Sequence, residues 1–240
     1  MLTTASIVAY LVASVSWVIG DALIVGFTRP DKSEHSRLIE LAGSDIPAFC
    51  TRINSTRLLI GAIIGPYTAP LYLAGLWVHW LILRDAEHPA LGLTGLTLLV
   101  IGVVYMPLAH AGFYPVALSS ARLQAALDRC ESGADGITSP EIEDAALHTR
   151  RLMRFLALAW IPAIACAYVG GFLICVPLAL GWTALPWWSV LFTPVVQLFP
   201  WALLLRLPYP GKPLLDGAVF NVINVVWALA LLVLSPGRIG

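Results

Sequence analysis

Residues 5–27 read ASIVAYLVASVSWVIGDALIVGF, and this stretch decides the class of fold. Asp21 is its only charged side chain. A transmembrane helix needs about 20 predominantly apolar residues. The stretch is too long for the apolar region of a cleaved signal peptide, and no Lys or Arg precedes it. It therefore predicts a retained membrane-spanning helix.

Five further stretches of the chain are as apolar as the first. They cover residues 58–82, 91–117, 154–180, 187–205 and 217–235. The whole chain is 59% hydrophobic and 12% charged, with a mean hydropathy of +0.83, whereas soluble domains carry about 25% charged residues. The sequence predicts an all-α fold: one domain, residues 1–240, forming a polytopic membrane bundle of six transmembrane helices in the lipid bilayer.

The distribution of basic residues predicts the orientation of the bundle. The 14 basic and 14 acidic residues cancel, so no global field would recruit nucleic acid. Twelve of the 14 basic residues lie in the first, third and fifth connections. Because basic residues favour the cytoplasmic side, we expect these connections inside a bacterial inner membrane and both termini outside. Five tryptophans fit an aromatic belt at the outer boundary: Trp77, Trp80, Trp182, Trp187 and Trp188.

Two short amphipathic helices are expected on the cytoplasmic side. In SEHSRLIELAG, residues 33–43, Ser33 would be the N-cap and Gly43 the C-terminal stop. Ser139 would cap a second helix with Pro140 at its first position. That second helix would continue into the fourth span.

An acidic residue stands on a polar stripe of the first span. Tyr10, Ser14, Trp17 and Asp21 are spaced four, three and four residues apart, so they share one helix face. Ionisable side chains within spans are costly and usually face a bundle interior or a cavity. Asp21 lies about 9 Å of helical rise from Phe27, at the predicted cytoplasmic end.

Other polar residues fall at a similar depth. His110 in the third span lies seven residues before its predicted cytoplasmic end, and Tyr114 follows one turn later on the same face. Asn221 and Asn224 lie near the start of the sixth span, and Gln197 near the middle of the fifth. The sequence predicts a polar cluster in the cytoplasmic half of the bundle.

The second span has one continuous small and polar face. Gly61 and Gly65 form a G-x-x-x-G pair, which lets another helix approach closely. Pro66 and Pro70 leave backbone carbonyls unpaired, which either kinks the helix or lines a cavity. The whole face comprises Arg57, Gly61, Gly65, Thr68, Tyr72, Gly75 and His79.

Motifs that would define a metal or cofactor enzyme are missing from the sequence. There is no H-E-x-x-H, no pair of histidines four residues apart within a span, no G-x-S-x-G and no Gly-Lys-Ser/Thr loop. No D-D-x-x-D-like run could hold diphosphate-bound magnesium. We therefore expect no metal and no cofactor.

Several of these landmarks resemble an uncharacterised bacterial family of six-helix integral membrane proteins. The resemblance rests on WVIGDALIVG, RLLIGAIIGPYTAPLYLAGLW and PLAHAGFYPVAL in the first three spans. PWWSVLFTPVVQLFPWALL in the fifth and GAVFNVINVVWALALLVL in the sixth extend it to every span except the fourth. The family is a domain of unknown function, so the resemblance implies the architecture and no activity.

The leading functional hypothesis is a polar intramembrane pocket for a lipid or isoprenoid-like ligand entering from the cytoplasmic leaflet. Asp21 and His110 would exchange a proton, as metal-independent isomerisation, cyclisation or hydrolysis requires. Six further side chains would orient the ligand: Trp17, Tyr72, Tyr114, Gln197, Asn221 and Asn224.

Two alternatives belong to other classes. An intramembrane Asp and His also suit a proton relay, so the protein could transport a small solute or protons. It could instead be a non-catalytic scaffold or assembly component, in which the Asp21–His110 pair is interhelical packing and the G-x-x-x-G face is a homodimer seam.

Overall fold

The chain is seen in a computed structural model, which describes residues 1–26, 30–51, 53–132, 139–210 and 212–239. The side chains of 139 and 213–216 are outside this description. Over the described ranges the regular elements are helices, with no strand, which confirms the all-α prediction. The elements in chain order are α1 (Leu2–Val25), α2 (Ser36–Ala42), α3 (Ile46–Cys50), α4 (Ser55–Gly75), α5 (Trp77–Arg84), α6 (Pro89–Ala111), α7 (Phe113–Glu131), α8 (Ser139–Ala179), a 3₁₀ helix (Trp187–Phe192), α9 (Pro194–Leu204) and α10 (Lys212–Leu234).

Five helical runs are long and apolar enough to cross a membrane. They correspond to the predicted first, second, third, fourth and sixth spans. The length and apolar composition of these helices are those of an integral membrane protein. The helix α4 continues into α5, and α6 into α7, with one intervening residue each. The runs are Leu2–Val25, Ser55–Arg84, Pro89–Glu131, Pro140–Ala179 and Gly217–Leu234.

The predicted fifth span is not a continuous helix. It divides into the 3₁₀ helix and α9, which at 11 residues is about 16 Å long. Thr193 at the junction is extended, with φ −65° and ψ 147°, because a residue before proline avoids the helical conformation. Pro194 therefore interrupts the span, and the apolar composition that predicted a helix here did not reveal the break.

The helix directions place both termini at the same end of the bundle. Antiparallel α1 and α10 are joined by hydrogen bonds from Asn221 to Asp21 and from Tyr10 to Asn224. The chain leaves α8 at the end where the Glu87 amide donates to the Trp182 carbonyl. We call this the aromatic end, because the five belt tryptophans lie there. The opposite end, with α2, α3 and the basic first and third connections, is the basic end.

The basic end carries a packed helical cap. Gly43 ends α2 with φ 71°, as predicted. Ser33 is not the N-cap: its backbone N–H and its hydroxyl both donate to Asp31 Oδ1, and the helix begins after His35. The Asp31 side chain therefore accepts the hydrogen bonds that form a turn before α2, and Ser33 does not cap the helix. The cap buries Leu38, Ala48, Leu123, Ala126, Leu127, Ile142 and Ala146.

The second predicted cytoplasmic helix is the start of α8. That helix runs for 41 residues from Ser139, so its first turns continue directly into the fourth span. Pro140 occupies the first turn as predicted, whereas the capping role of the Ser139 side chain lies outside the described residues. The short helix α3 was not expected from the sequence.

Candidate functional site

Glycines allow α1 and α4 to meet closely. A Cβ atom on Gly61 would lie 2.9 Å from Leu23 Cβ and 3.0 Å from the Gly20 carbonyl oxygen. A Cβ on Gly65 would lie 2.9 Å from Trp17 Cδ2. The small face of the second span therefore packs within the chain, against α1. A homodimer seam cannot use the same surface while this packing holds.

His110 lies against this glycine contact. A Cβ on Gly20 would approach His110 Cε1 to 3.0 Å, so glycine leaves room for the imidazole. His110 Nδ1 lies 3.3 Å from the Ala62 carbonyl oxygen of α4. That carbonyl has no helical partner, because the residue four positions later is Pro66, which has no N–H. The carbonyl freed by proline thus holds the histidine ring.

Asp21 and His110 form a partly buried pair. Asp21 Oδ1 lies 3.2 Å from His110 Nε2, and the side chains are 16% and 5% exposed. Asn221 donates its amide to the other carboxylate oxygen at 2.7 Å. The Ala62 carbonyl can only accept, so its contact with Nδ1 is a hydrogen bond when Nδ1 carries the hydrogen. A second proton between Nε2 and Oδ1 then gives either an imidazolium with a carboxylate or a neutral imidazole with a carboxylic acid.

Trp17 closes the pair from the side of α1. Its ring meets the His110 ring edge-on, with centroids 4.8 Å apart, and packs on Gly65. The side chain is almost fully buried. Its indole N–H is buried without a hydrogen-bond partner among the described residues. Trp17 therefore packs against both the His110 ring and Gly65 of α4.

A second polar group lies nearer the aromatic end. The Tyr10 hydroxyl donates to Asn224 Oδ1 at 2.6 Å, and the Tyr72 hydroxyl lies 3.4 Å from that of Tyr10. The Trp227 indole donates to His79 Nε2 at 2.8 Å. An indole can only donate, so the His79 proton is on Nδ1 and this ring is neutral. His79 and Trp227 were not among the predicted site residues, although the polar face of the second span already contained His79.

Both polar groups line one cavity of about 370 Å³. Asp21 and Tyr10 are 11 residues apart on α1, so the cavity extends about 16 Å along the bundle. Tyr168 of α8 and Phe220 of α10 meet across it, with ring centroids 6.0 Å apart. Its lining is otherwise mainly apolar and aromatic, including Ile24, Leu99, Val103, Met106, Phe113, Trp160, Ile164, Ile174, Leu198 and Ile223.

Six of the eight predicted site residues line this cavity, and two do not. The six are Trp17, Asp21, Tyr72, His110, Asn221 and Asn224. Tyr114 instead packs beside Cys50, Leu58 and Ala117. The Gln197 amide donates to the Leu191 carbonyl at 2.6 Å and ties α9 to the 3₁₀ helix.

A break between α6 and α7 accounts for the position of Tyr114. The helix α6 ends at Ala111, four residues before Pro115, whose ring and missing N–H prevent a regular turn there. The face that holds His110 therefore does not continue to Tyr114. Phe113 lines the cavity in its place, and its ring centroid lies 6.3 Å from that of His110.

Towards the aromatic end, the cavity is followed by a packed core. Leu76, His79 and Trp227 line the cavity on this side. Beyond them the core is fully buried, with Val78, Leu83 and Leu178 at zero exposure.

Within the described ranges, no three His, Cys, Asp or Glu residues lie close enough together to hold a metal ion. Comparison of the chain with protein-family models, curated proteins and solved structures finds no match. The resemblance to the six-helix bacterial family therefore stays a prediction. The functional argument rests on the geometry of the cavity.

Proposed function

We propose that the protein binds an elongated lipid or isoprenoid-like molecule in this cavity and carries out acid–base chemistry on it. The observation that carries the proposal is the Asp21–His110 pair on the wall of a mainly apolar cavity. A volume of about 370 Å³ falls within the range of small-molecule sites, which are mostly apolar with a few placed polar groups.

The pair is suited to giving and regaining one proton. The proton between Nε2 and Oδ1 passes to a ligand carbon or oxygen, and the same two atoms accept a proton from the ligand afterwards. Isomerisation and cyclisation balance in this way without a co-reactant, whereas hydrolysis also consumes a water molecule. Asn221 and the Ala62 carbonyl would keep the two groups aligned throughout.

The position of the pair suggests where the ligand enters. Asp21 lies one turn before the end of α1 at the basic end, and basic connections favour the cytoplasm. We place the site in the cytoplasmic half of a bacterial inner membrane, with both termini outside. The short α9, which lines the cavity through Pro194, Val195 and Leu198, lies between α8 and α10.

The binding proposal can be tested with two matched substitutions on α8. Ala167 lines the cavity, whereas Ala165 is exposed two residues earlier. Ala167→Leu adds three carbons inside the cavity, and Ala165→Leu adds them outside. Native mass spectrometry of protein purified in mild detergent should show a lipid retained by the wild type and by Ala165→Leu. Ala167→Leu should lose it.

Two outcomes would contradict the proposal. One is a wild-type protein that retains no lipid and binds none that is added back. The other is equal retention by both leucine variants, because the bound molecule would then lie outside the cavity. Thermal unfolding of each variant shows whether it is folded.

A further inference from the structure

The wall of the cavity carries no net positive charge among its described residues. When Asp21 and His110 share one proton they are neutral together, because an imidazolium and a carboxylate cancel, and without that proton the pair is negative. His79 is neutral, since its Nε2 accepts from Trp227. The polar groups of Tyr10 and Asn224 bond to each other as uncharged groups.

No cation faces the cavity within the part of the chain that the structure describes. Neither Lys nor Arg is among the lining residues. Arg57 lies towards the basic end, where its guanidinium donates to the Ala22 carbonyl at 2.9 Å. Lys212 donates to the Leu205 carbonyl. Each of these two cations thus donates to a backbone carbonyl.

An anionic group of a ligand would therefore meet no Lys or Arg among the described lining residues of the cavity. Burying an isolated ionised group costs far more than burying a hydroxyl or a carbonyl that forms a hydrogen bond. The Asp21–His110 pair can donate to or accept from such an uncharged group, and the Tyr10–Tyr72 hydroxyls can do the same further along the cavity.

We infer that the ligand is a long-chain molecule whose polar group is an uncharged hydroxyl or carbonyl, and that phosphorylated or carboxylated chains are rejected. This inference rests on the proposed binding function and names its substrate class. It also places the polar group beside Asp21 and His110, with the apolar chain directed along the cavity towards Tyr10.

The test compares two probes that share one chain. Wild-type protein in phosphatidylcholine nanodiscs is offered geranylgeraniol and geranylgeranyl diphosphate at equal mole fractions in the bilayer, and native mass spectrometry measures occupancy. The alcohol should bind at least about a hundredfold more tightly, the cost of one buried unpaired charge. In direct competition on the wild type, excess diphosphate should not displace the alcohol.

The possible results separate the two proposals. If the diphosphate binds as tightly as the alcohol and Ala167→Leu abolishes it, the inferred ligand class is wrong and the cavity is still a lipid site. If neither probe binds and the folded wild type carries no lipid, the proposed function itself fails. Both proposals are supported if the alcohol binds to the wild type and to Ala165→Leu, does not bind to Ala167→Leu, and binds more tightly than the diphosphate.

Discussion

The orientation of His110 depends on one proline of a neighbouring helix. Pro66 cannot donate to the Ala62 carbonyl, and His110 takes that acceptor with Nδ1. The opposite nitrogen must then face Asp21, because the two ring nitrogens of an imidazole point in different directions. A feature that would weaken an isolated helix thus fixes the proton-sharing pair.

Replacing Asp21 by Asn should separate chemistry from packing. The amide has the shape of the carboxyl group, but it cannot share a proton with His110. We expect a folded protein whose turnover of the bound lipid falls at least about a hundredfold, the usual contribution of a general acid–base group. Product analysis after incubation in nanodiscs would measure this. Asp85→Asn, at an exposed site beside Arg84, is the control, and full activity of Asp21→Asn would refute the acid–base role.

Pro66→Ala should release the histidine ring. The new backbone N–H would donate to the Ala62 carbonyl and compete with His110 Nδ1 for it. ¹⁵N NMR of histidine-labelled protein should then show loss of the fixed Nδ1–H form at His110. Pro70→Ala is the matched control, because it restores a hydrogen bond to the Pro66 carbonyl one turn away. An unchanged His110 spectrum in Pro66→Ala would show that the freed carbonyl does not orient the ring.

At the scale of helices, the contact between α1 and α4 extends beyond the site. Gly75 lies against the α1 backbone: a Cβ there would stand 2.6 Å from Tyr10 Cα. The Ser6 hydroxyl also lies 3.0 Å from the Gly75 carbonyl. Because Tyr10 takes part in the second polar group, this close contact holds one wall of the cavity in place.

Gly75→Ala should destabilise the protein by about 1–3 kcal/mol, as overpacking of a close contact does. The added methyl group meets backbone, which cannot turn aside. Gly92→Ala would meet the far end of the flexible Leu83 side chain, also at 2.6 Å, so its effect should be smaller. Thermal unfolding in detergent compares the two, and equal melting temperatures would contradict the assigned role of the backbone contact.

Prolines also explain where the helix predictions succeeded and failed. The length of the apolar runs correctly located α1, α8 and α10. No proline ends these helices, and Pro162 and Pro177 lie within α8 without dividing it. Pro194 broke the predicted fifth span, and Pro115 ended the face on which Tyr114 was expected. The apolar composition of a span does not show these breaks, because each of them depends on the missing backbone N–H of a single proline.

At the scale of the whole molecule, the sequence predicted the depth of the site residues in the bundle, but it did not predict which helices are neighbours. The distances of Asp21 and His110 from their span ends placed them at one level in the bundle. Their contact also requires α4 to lie between α1 and α6, with glycines that bring the backbones together. Helix order depends on contacts far apart in the chain, and a single sequence carries little information about those.

Thiol labelling tests the orientation of the bundle. Cys130 is exposed at the basic end, whereas Cys50 is buried, and burial raises the pKa of the Cys50 thiol to about 12. At pH 8 only about one Cys50 in 10,000 is a thiolate, and the pH must rise far beyond 9 before it reacts. A membrane-impermeant maleimide should therefore label Cys130 in inverted vesicles only. Labelling in intact spheroplasts would place the basic end outside, and a Cys130→Ser variant shows the background.

The hydrogen bond between Asp21 and Asn221 joins residues that are 200 positions apart. The first span leaves the ribosome long before the last one, and synthesis proceeds at about 5–20 residues per second. For at least about ten seconds, Asp21 is therefore in the membrane without this partner. The site is among the last parts of the molecule to form, and a chain halted before α10 would insert most of its helices and still have no finished cavity.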